Sequence, residues 1–221
     1  MFILKSAASW VKNALGRALD LLAPEDRKIQ RLLELDAATM RNLLPSSKTR
    51  VKDLFVLFDY DNRIVKLVVR SIKYKNNAGL RKRIAEYLYD EIMEMSSDIS
   101  LFDGAPPLLV PMPMSKKEKQ KKGFNQCEEL LKEVEKMVGG NLDISYTALR
   151  KIRETKRQTE LGRDQRLLNV KNSMMADSSG VGHRTIIVLD DVYTTLASFS
   201  EARRVLFSVG ARRVVGLFIA H

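Results

Sequence analysis

The sequence predicts a doubly wound α/β domain with a mostly parallel sheet, preceded by a small helical extension. Three observations predict it. First, Leu108–Val110, Ile186–Leu189 and Arg213–Ala220 are short, almost unbroken apolar runs, the pattern of strands buried on both faces. Second, the first two runs lead through a polar turn into a stretch of helical period, giving strand, loop, helix twice over. Third, the chain of 221 residues is long enough to bury roughly 70% of its unfolded surface without a staple, and it has a single cysteine.

The N-terminal extension is expected over residues 1–50 and the α/β domain over 51–221. Trp10, Val11, Ala14, Leu15, Ala18 and Leu22 mark one helix. Pro24 opens a second, with Ile29, Leu32, Leu33, Met40 and Leu43 on its buried side. Lys5, Lys12 and Arg17 interrupt the apolar residues, so the segment reads as neither a signal peptide nor a span, and a cytoplasmic chain without a transmembrane segment is expected. These helices are expected to pack or to offer a partner surface, the other reading being a basic amphipathic helix on a membrane.

Leu54–Asp59 reads as the first strand, Asp61-Asn62 as a turn or cap, and Ile64, Val65, Val68 and Ile72 as the apolar face of a helix. After Lys73-Tyr74-Lys75, the offsets of Leu80, Ile84, Leu88, Ile92 and Met95 predict an amphipathic helix. Leu108–Val110 then runs into Pro111-Met-Pro-Met-Ser115 and a lysine-dense stretch to Lys122, expected as a loop. Asn125 with Glu128 is cap-like, and Cys127, Leu130, Leu131, Val134, Met137 and Val138 trace the face of a helix ended by Gly139-Gly140. Arg153–Gly162 is polar and basic, with the character of a mobile arm or of a surface loop that supplies charge.

The most telling stretch is Thr185–Ser198, an apolar run that ends in Asp190-Asp191 and a hydroxyl-rich turn. Acids at the carboxyl end of a buried parallel strand stand where open α/β sheets form their ligand crevice. Ser198-Phe-Ser-Glu201 fits a capping box, Val205, Leu206 and Val209 follow at helical spacing, and Gly210 is placed as terminator. The turn from Val192 to Ala197 would thus aim backbone N–H groups and a positive helix end at one point suited to a phosphate. The acids suit sugar hydroxyls or a hydrated Mg²⁺.

This segment resembles the phosphoribosyl-pyrophosphate (PRPP) motif of the type I phosphoribosyltransferases. With Val192-Tyr193-Thr194-Thr195 after the acids, it looks most like the ComF family, phosphoribosyltransferase-like proteins associated with DNA uptake in competence. Two further blocks carry the resemblance: Val110-Pro-Met-Pro113 with Gly123-Phe-Asn-Gln126, and Gln158-Thr159 with downstream Arg166 and Asn169. It runs from about Leu54 to the end of the sequence.

The resemblance implies a fold of type I phosphoribosyltransferase kind over 51–221 and a site that takes PRPP or a related sugar phosphate with Mg²⁺. Asp190 and Asp191 would hold the ribose as the catalytic acids and touch Mg²⁺ indirectly. Thr194, Thr195, Leu196, Ala197 and Ser198 would cradle the 5′-phosphate, and Ser115, Lys116, Lys117 and Lys122 the pyrophosphate. Gln158, Thr159 and Arg163 would lie on an arm that closes over the ligand. Either phosphoribosyl is transferred to a base or pyrophosphate is released, or the chain is a non-catalytic competence factor that binds single-stranded DNA and the competence machinery. Leu196 stands where the family's loop carries glycine, and a positive φ there would cost about 1–2 kcal/mol.

Composition narrows the field without deciding it. Against 27 Asp+Glu stand 38 Lys+Arg, a net charge of +11 that favours polyanions, PRPP and DNA alike. Aromatic residues are only 7% of the chain and form no clustered stripe, which argues weakly against a dedicated single-strand stacking platform. There is no phosphate-binding Gly-x₄-Gly-Lys loop, and Gly180-Val-Gly182 precedes its strand, the wrong side for a dinucleotide fingerprint. Two histidines make a histidine triad or metal cluster improbable, and one cysteine leaves no thiolate zinc site of the kind ComF proteins often carry near their N-terminus.

Overall fold

The computed structural model describes residues 25–49, 51–138, 142–155, 168–194 and 196–221. The first-helix expectation over Trp10–Leu22, Pro24, Gly139-Gly140, Gln158, Thr159, Arg163, Arg166 and Thr195 lie outside the described residues. The chain divides into two compact units between Leu43 and Leu44. In the first, helix α1 (Glu25–Glu34) and helix α2 (Ala37–Leu43) bury Ile29, Leu32 and Met40. The sequence reading had one helix here, with Leu33 and Leu43 on its buried side; both are half-buried, and the helix breaks at Asp36. The Asp36 carboxylate accepts from the backbone N–H and the hydroxyl of Thr39, each at 2.8 Å, which restarts the chain as a new helix.

The second unit is built on a five-stranded, wholly parallel sheet. Its strands are β1 (Leu54–Phe58), β2 (Leu108–Pro111), β3 (Asp143–Ile144), β6 (Thr185–Val192) and β7 (Arg213–Ala220), in the order β1-β7-β6-β2-β3. Helices α3 (Arg63–Lys75), α4 (Ala78–Asp103) and α6 (Gln126–Val138) pack together, with α3 against β7 and α6 against β2 and β6. Helix α7 (Ala197–Ser208) packs on β7 and on a two-stranded antiparallel ribbon, β4 (Leu149–Lys151) with β5 (Met174–Ala176). The doubly wound α/β class is as the sequence predicts; the ribbon is an addition it does not reveal.

Local chemistry explains the boundaries. The Asn62 side chain accepts from the N–H groups of Ile64 and Val65 and starts α3, and Asn77 accepts from Leu80 N–H and starts α4. Gly104 and Gly210 supply left-handed backbone where α4 and α7 stop. Along β6, Ile186 and Val188 join the core cluster that includes Phe199, Ala202, Val205 and Leu206 of α7. Strand alternation then sends Ile187, Leu189 and Asp191 toward the opposite helical layer and leaves Asp190 on the α7 side. Gly216 of β7 is needed on that side: a Cβ there would come within 2.6 Å of Phe218 and 3.0 Å of Phe199, whose rings meet edge to face at 5.8 Å.

Strand order also locates the crevice. From β2 the chain winds outward to β3, and from β6 it winds the other way to β7, so β2 and β6 flank the topological switch point. Their carboxyl ends are in register, Pro111 beside Leu189, and the Met112 N–H donates to the Leu189 carbonyl at 2.8 Å.

Candidate functional site

Two strand-to-helix turns meet at the switch point. On the β6 side, Asp190, Val192, Thr194, Leu196, Ala197, Ser198, Phe199 and Phe218 line a shallow cleft of about 240 Å³ including its open mouth. That is below the roughly 300 Å³ at which pockets for drug-sized ligands begin, and of a size for one tetrahedral anion. Of the residues assigned to a phosphate from sequence, Thr194, Leu196, Ala197 and Ser198 come together here.

The helix behind the cleft begins differently from the capping-box expectation. Its cap is Leu196, in the left-handed region at φ 57° and ψ 7°, with no side-chain cap hydrogen bond, and Ser198 lies inside the first turn. Glu201 instead turns to Arg204, 2.9 Å away. With no side-chain acceptor at its cap, α7 turns a positive helix end toward the cleft. Leu196 therefore carries the strain foreseen for its position, and its side chain packs against the core cluster, an apolar contact that offsets part of it.

On the other face of β6, Asp191 is 6% exposed and fully engaged. Its Oδ2 lies 2.9 Å from Lys73 Nζ and accepts from Gln126 Nε2 at 2.7 Å, while Oδ1 accepts from Val192 N–H at 2.8 Å and from Lys73 at 3.2 Å. The Gln126 carbonyl oxygen in turn accepts from Lys122 Nζ. Lys122 also lies over the Phe124 ring, 4.4 Å from its centroid. A chain of contacts thus runs from α3 through β6 to the start of α6 and back to the lysine stretch.

These contacts set the charges. Burial works against the Lys73 ammonium, but Asp191 outweighs it and raises the lysine above its ordinary value. Burial lowers Lys122 to about 8, a trend that Asp191 opposes and Lys73 reinforces. Asp190, desolvated and beside the charge of Asp191, is pushed up to about 7. The thiol of Cys127, buried on α6, is pushed up by desolvation and is no nucleophile.

The lysine stretch, expected as a loop, is a short helix, α5 (Lys116–Lys122). Ser115 is its cap: the hydroxyl accepts from Glu118 N–H at 3.2 Å and donates to Glu154 at 2.7 Å. Both Lys116 and Lys117 are exposed on its first turn, and Lys122 alone of the three assigned lysines turns inward. Lys151 of the ribbon sits 3.5 Å from Glu118, so two contacts tie the ribbon to α5 beside the site. Asn125 is buried at the start of α6, accepting from Cys127 N–H at 3.0 Å and donating to the Met112 carbonyl at 2.9 Å, which locks the β2 turn to the helix.

Sequence reasoning missed the roles of Lys73 and Gln126. A signal for Lys73 was present: Val65, Val69 and Lys73 stand four residues apart, so a cation continues a buried stripe, and buried lysines are rare unless paired. For Gln126 the signals were its place beside the cap residue Asn125 and in the Gly123-Phe-Asn-Gln126 block, neither of which pointed to Asp191.

No family model matches the chain. It is similar to "Competence protein F" of Haemophilus influenzae, with 21% identity over 166 residues that cover 73% of this chain and 70% of that protein. Among solved structures, a hypoxanthine phosphoribosyltransferase from Staphylococcus aureus is similar at a TM-score of 0.33 and 11% identity. That match covers 61% of this chain and 62% of the enzyme, less than two thirds of the enzyme's length. No helix among the described residues is long and apolar enough to cross a membrane.

Proposed function

We propose that the ComF-like chain binds Mg–PRPP, or a closely related sugar phosphate, across the switch point. The observation that carries this reading is that Asp190 and the N-terminus of α7 line one anion-sized cleft at the carboxyl edge of a parallel sheet. In this reading the 5′-phosphate takes the N–H groups of the Thr194–Ser198 turn, and Asp190 accepts from the ribose hydroxyls. Asp191 holds the strand end in place through Lys73 and Gln126. The pyrophosphate faces the α5 side, where Lys122 is the inward cation and Lys116 and Lys117 supply long-range attraction.

Among the described residues no group of three or more His, Cys, Asp or Glu could hold a metal. A hard cation that keeps most of its waters and arrives on the diphosphate would fit such a site, and Asp190 would be the carboxylate offered to it. Bound Mg²⁺ would neutralise charge on the leaving pyrophosphate. If the site turns over, the C1–O bond to pyrophosphate breaks as an acceptor attacks C1. The protein's part is positioning and charge stabilisation.

Calorimetric titration of PRPP with and without Mg²⁺ tests the proposal. Mg-dependent binding by the native chain, lost in Asp190→Asn, supports it; binding that ignores both sinks it. Because Asp190 binds cations only when ionised, binding should tighten as pH rises through about 7.

The second reading is a non-catalytic competence factor that binds single-stranded DNA. The exposed lysines of α5 favour it, as does a strained side chain at Leu196 beside the phosphate cleft. Lys119 is already paired with Glu128 at 2.6 Å, so Lys116, Lys117 and Lys121 carry this reading. Replacing those three with Gln should weaken binding of a labelled single strand and flatten its salt dependence. An unchanged salt slope would remove it.

A further inference from the structure

The edge of the sheet away from β3 carries a second feature. A groove of about 610 Å³, open solvent included, runs between α4 and the edge strand β1 with its neighbour β7. Its apolar lining is Phe55, Met95, Ile99, Phe102 and Val215, of which Phe55 and Phe102 are exposed and the other three buried; Arg213, paired with Asp53 at 2.6 Å, also lines it. Phe102 is 81% exposed and its neighbour Leu101 80%, at the end of α4 where no cap or turn requires an aromatic ring in water. Above this floor, Glu91, Glu94 and Asp98 form a line on successive turns of α4, about 10 Å from first to last.

The charge of that line is opposite to the charge of the molecule. With a net +11, the chain elsewhere attracts polyanions, whereas this groove opposes a nucleic acid or phosphate ligand and favours cations. Two exposed aromatic rings beside acids at i, i+3 and i+7 along one wall complement an amphipathic helix. Such a helix would set aliphatic or aromatic residues into the floor and Lys or Arg against the wall.

We propose that the groove between α4 and the β1–β7 edge docks a basic amphipathic helix of a partner protein, on the side of the sheet edge remote from phosphate chemistry. Phe102 and Phe55 are its apolar anchors, and Glu94 and Asp98, both exposed, set its register and polarity. The groove lies within the second unit and does not depend on the PRPP reading.

The test is fluorescence anisotropy of a labelled synthetic helix with Leu and Phe at i, i+4 and i+7 and Lys flanking them. A scrambled peptide of the same composition serves as control. The native chain should bind the designed helix and prefer it to the scramble roughly tenfold or more. Glu94→Lys with Asp98→Lys should lose that binding and regain it for a helix carrying Glu in place of Lys; Phe102→Ser should weaken both pairings. These substitutions are on exposed positions, and circular dichroism of each variant verifies that it folds. No binding, equal binding of the scramble, or indifference to the charge reversal would overturn the proposal. So would sedimentation showing a dimer that Phe102→Ser dissolves, since a second copy would then be the occupant.

Discussion

The two turns that meet at the switch point are built by opposite means. After β6, the cleft is shaped by backbone: Leu196 in the left-handed region, a helix start without a side-chain cap, and one half-exposed acid. After β2, the turn is held by side chains: Asn125 to the Met112 carbonyl, Ser115 to Glu154, Lys122 to Gln126 and Gln126 to Asp191. A backbone cradle tolerates substitution of its side chains, whereas a side-chain lattice fails when one member is removed, because the partner is left buried and unpaired.

Ranked by expected effect, substitutions at four positions probe this difference. Asp191→Ala should be the most damaging: it strands Lys73 and Gln126 and should destabilise by about 3 kcal/mol in urea denaturation. If it costs as little as a surface change, the lattice is not what holds the turn. Asp190→Asn should act with the opposite sign. The native state holds the Asp190 proton more tightly than the unfolded chain, so native stability falls as pH rises from about 4 to about 7 and is level above. Removing the ionisation should therefore stabilise the protein at pH 8 and leave its stability unchanged below pH 4, read from melts across that range.

Asn125→Ala removes a cap and a clamp and should cost about 1.5 kcal/mol, again by urea denaturation. The smallest effects fall at Leu196. Glycine there relieves the strain but loses apolar contact, for a net change within about 0.5 kcal/mol. Alanine keeps the strain and still loses the contact, so it should be the worse of the two by about 1 kcal/mol. Equal melting of the two variants would show that conformation at this position does not matter.

Much of this edge was legible in the sequence because it rests on local pattern. The unbroken run before Asp190 fixed a buried parallel strand, Asn62 and Asn125 announced their helices, and the acids at a strand end marked the crevice. What escaped rests on contacts distant in the chain. The ribbon of β4 and β5 has three-residue strands, too short for a period to show. Lysine density in Lys116–Lys122 hid a helix because the run has no apolar face, and its cap, Ser115, is tied to Glu154, 39 residues away. The capping box expected at Ser198 does not form: Leu196, which no propensity scale would choose, adopts the cap conformation, and its side chain packs on the core. The engagement of Asp191 by Lys73 spans 118 residues and could be inferred only from a cation on a buried stripe.

Adjacent in sequence, Asp190 and Asp191 answer to different masters, since the pleat sends one to the cleft and the other into the interior. Evolution can therefore erase them separately. A lineage released from ligand chemistry is free to drift at the first acid, while selection for folding alone keeps the second together with Lys73 and Gln126. Co-inheritance of that trio without Asp190 would be the fossil of a site whose scaffold outlived its trade.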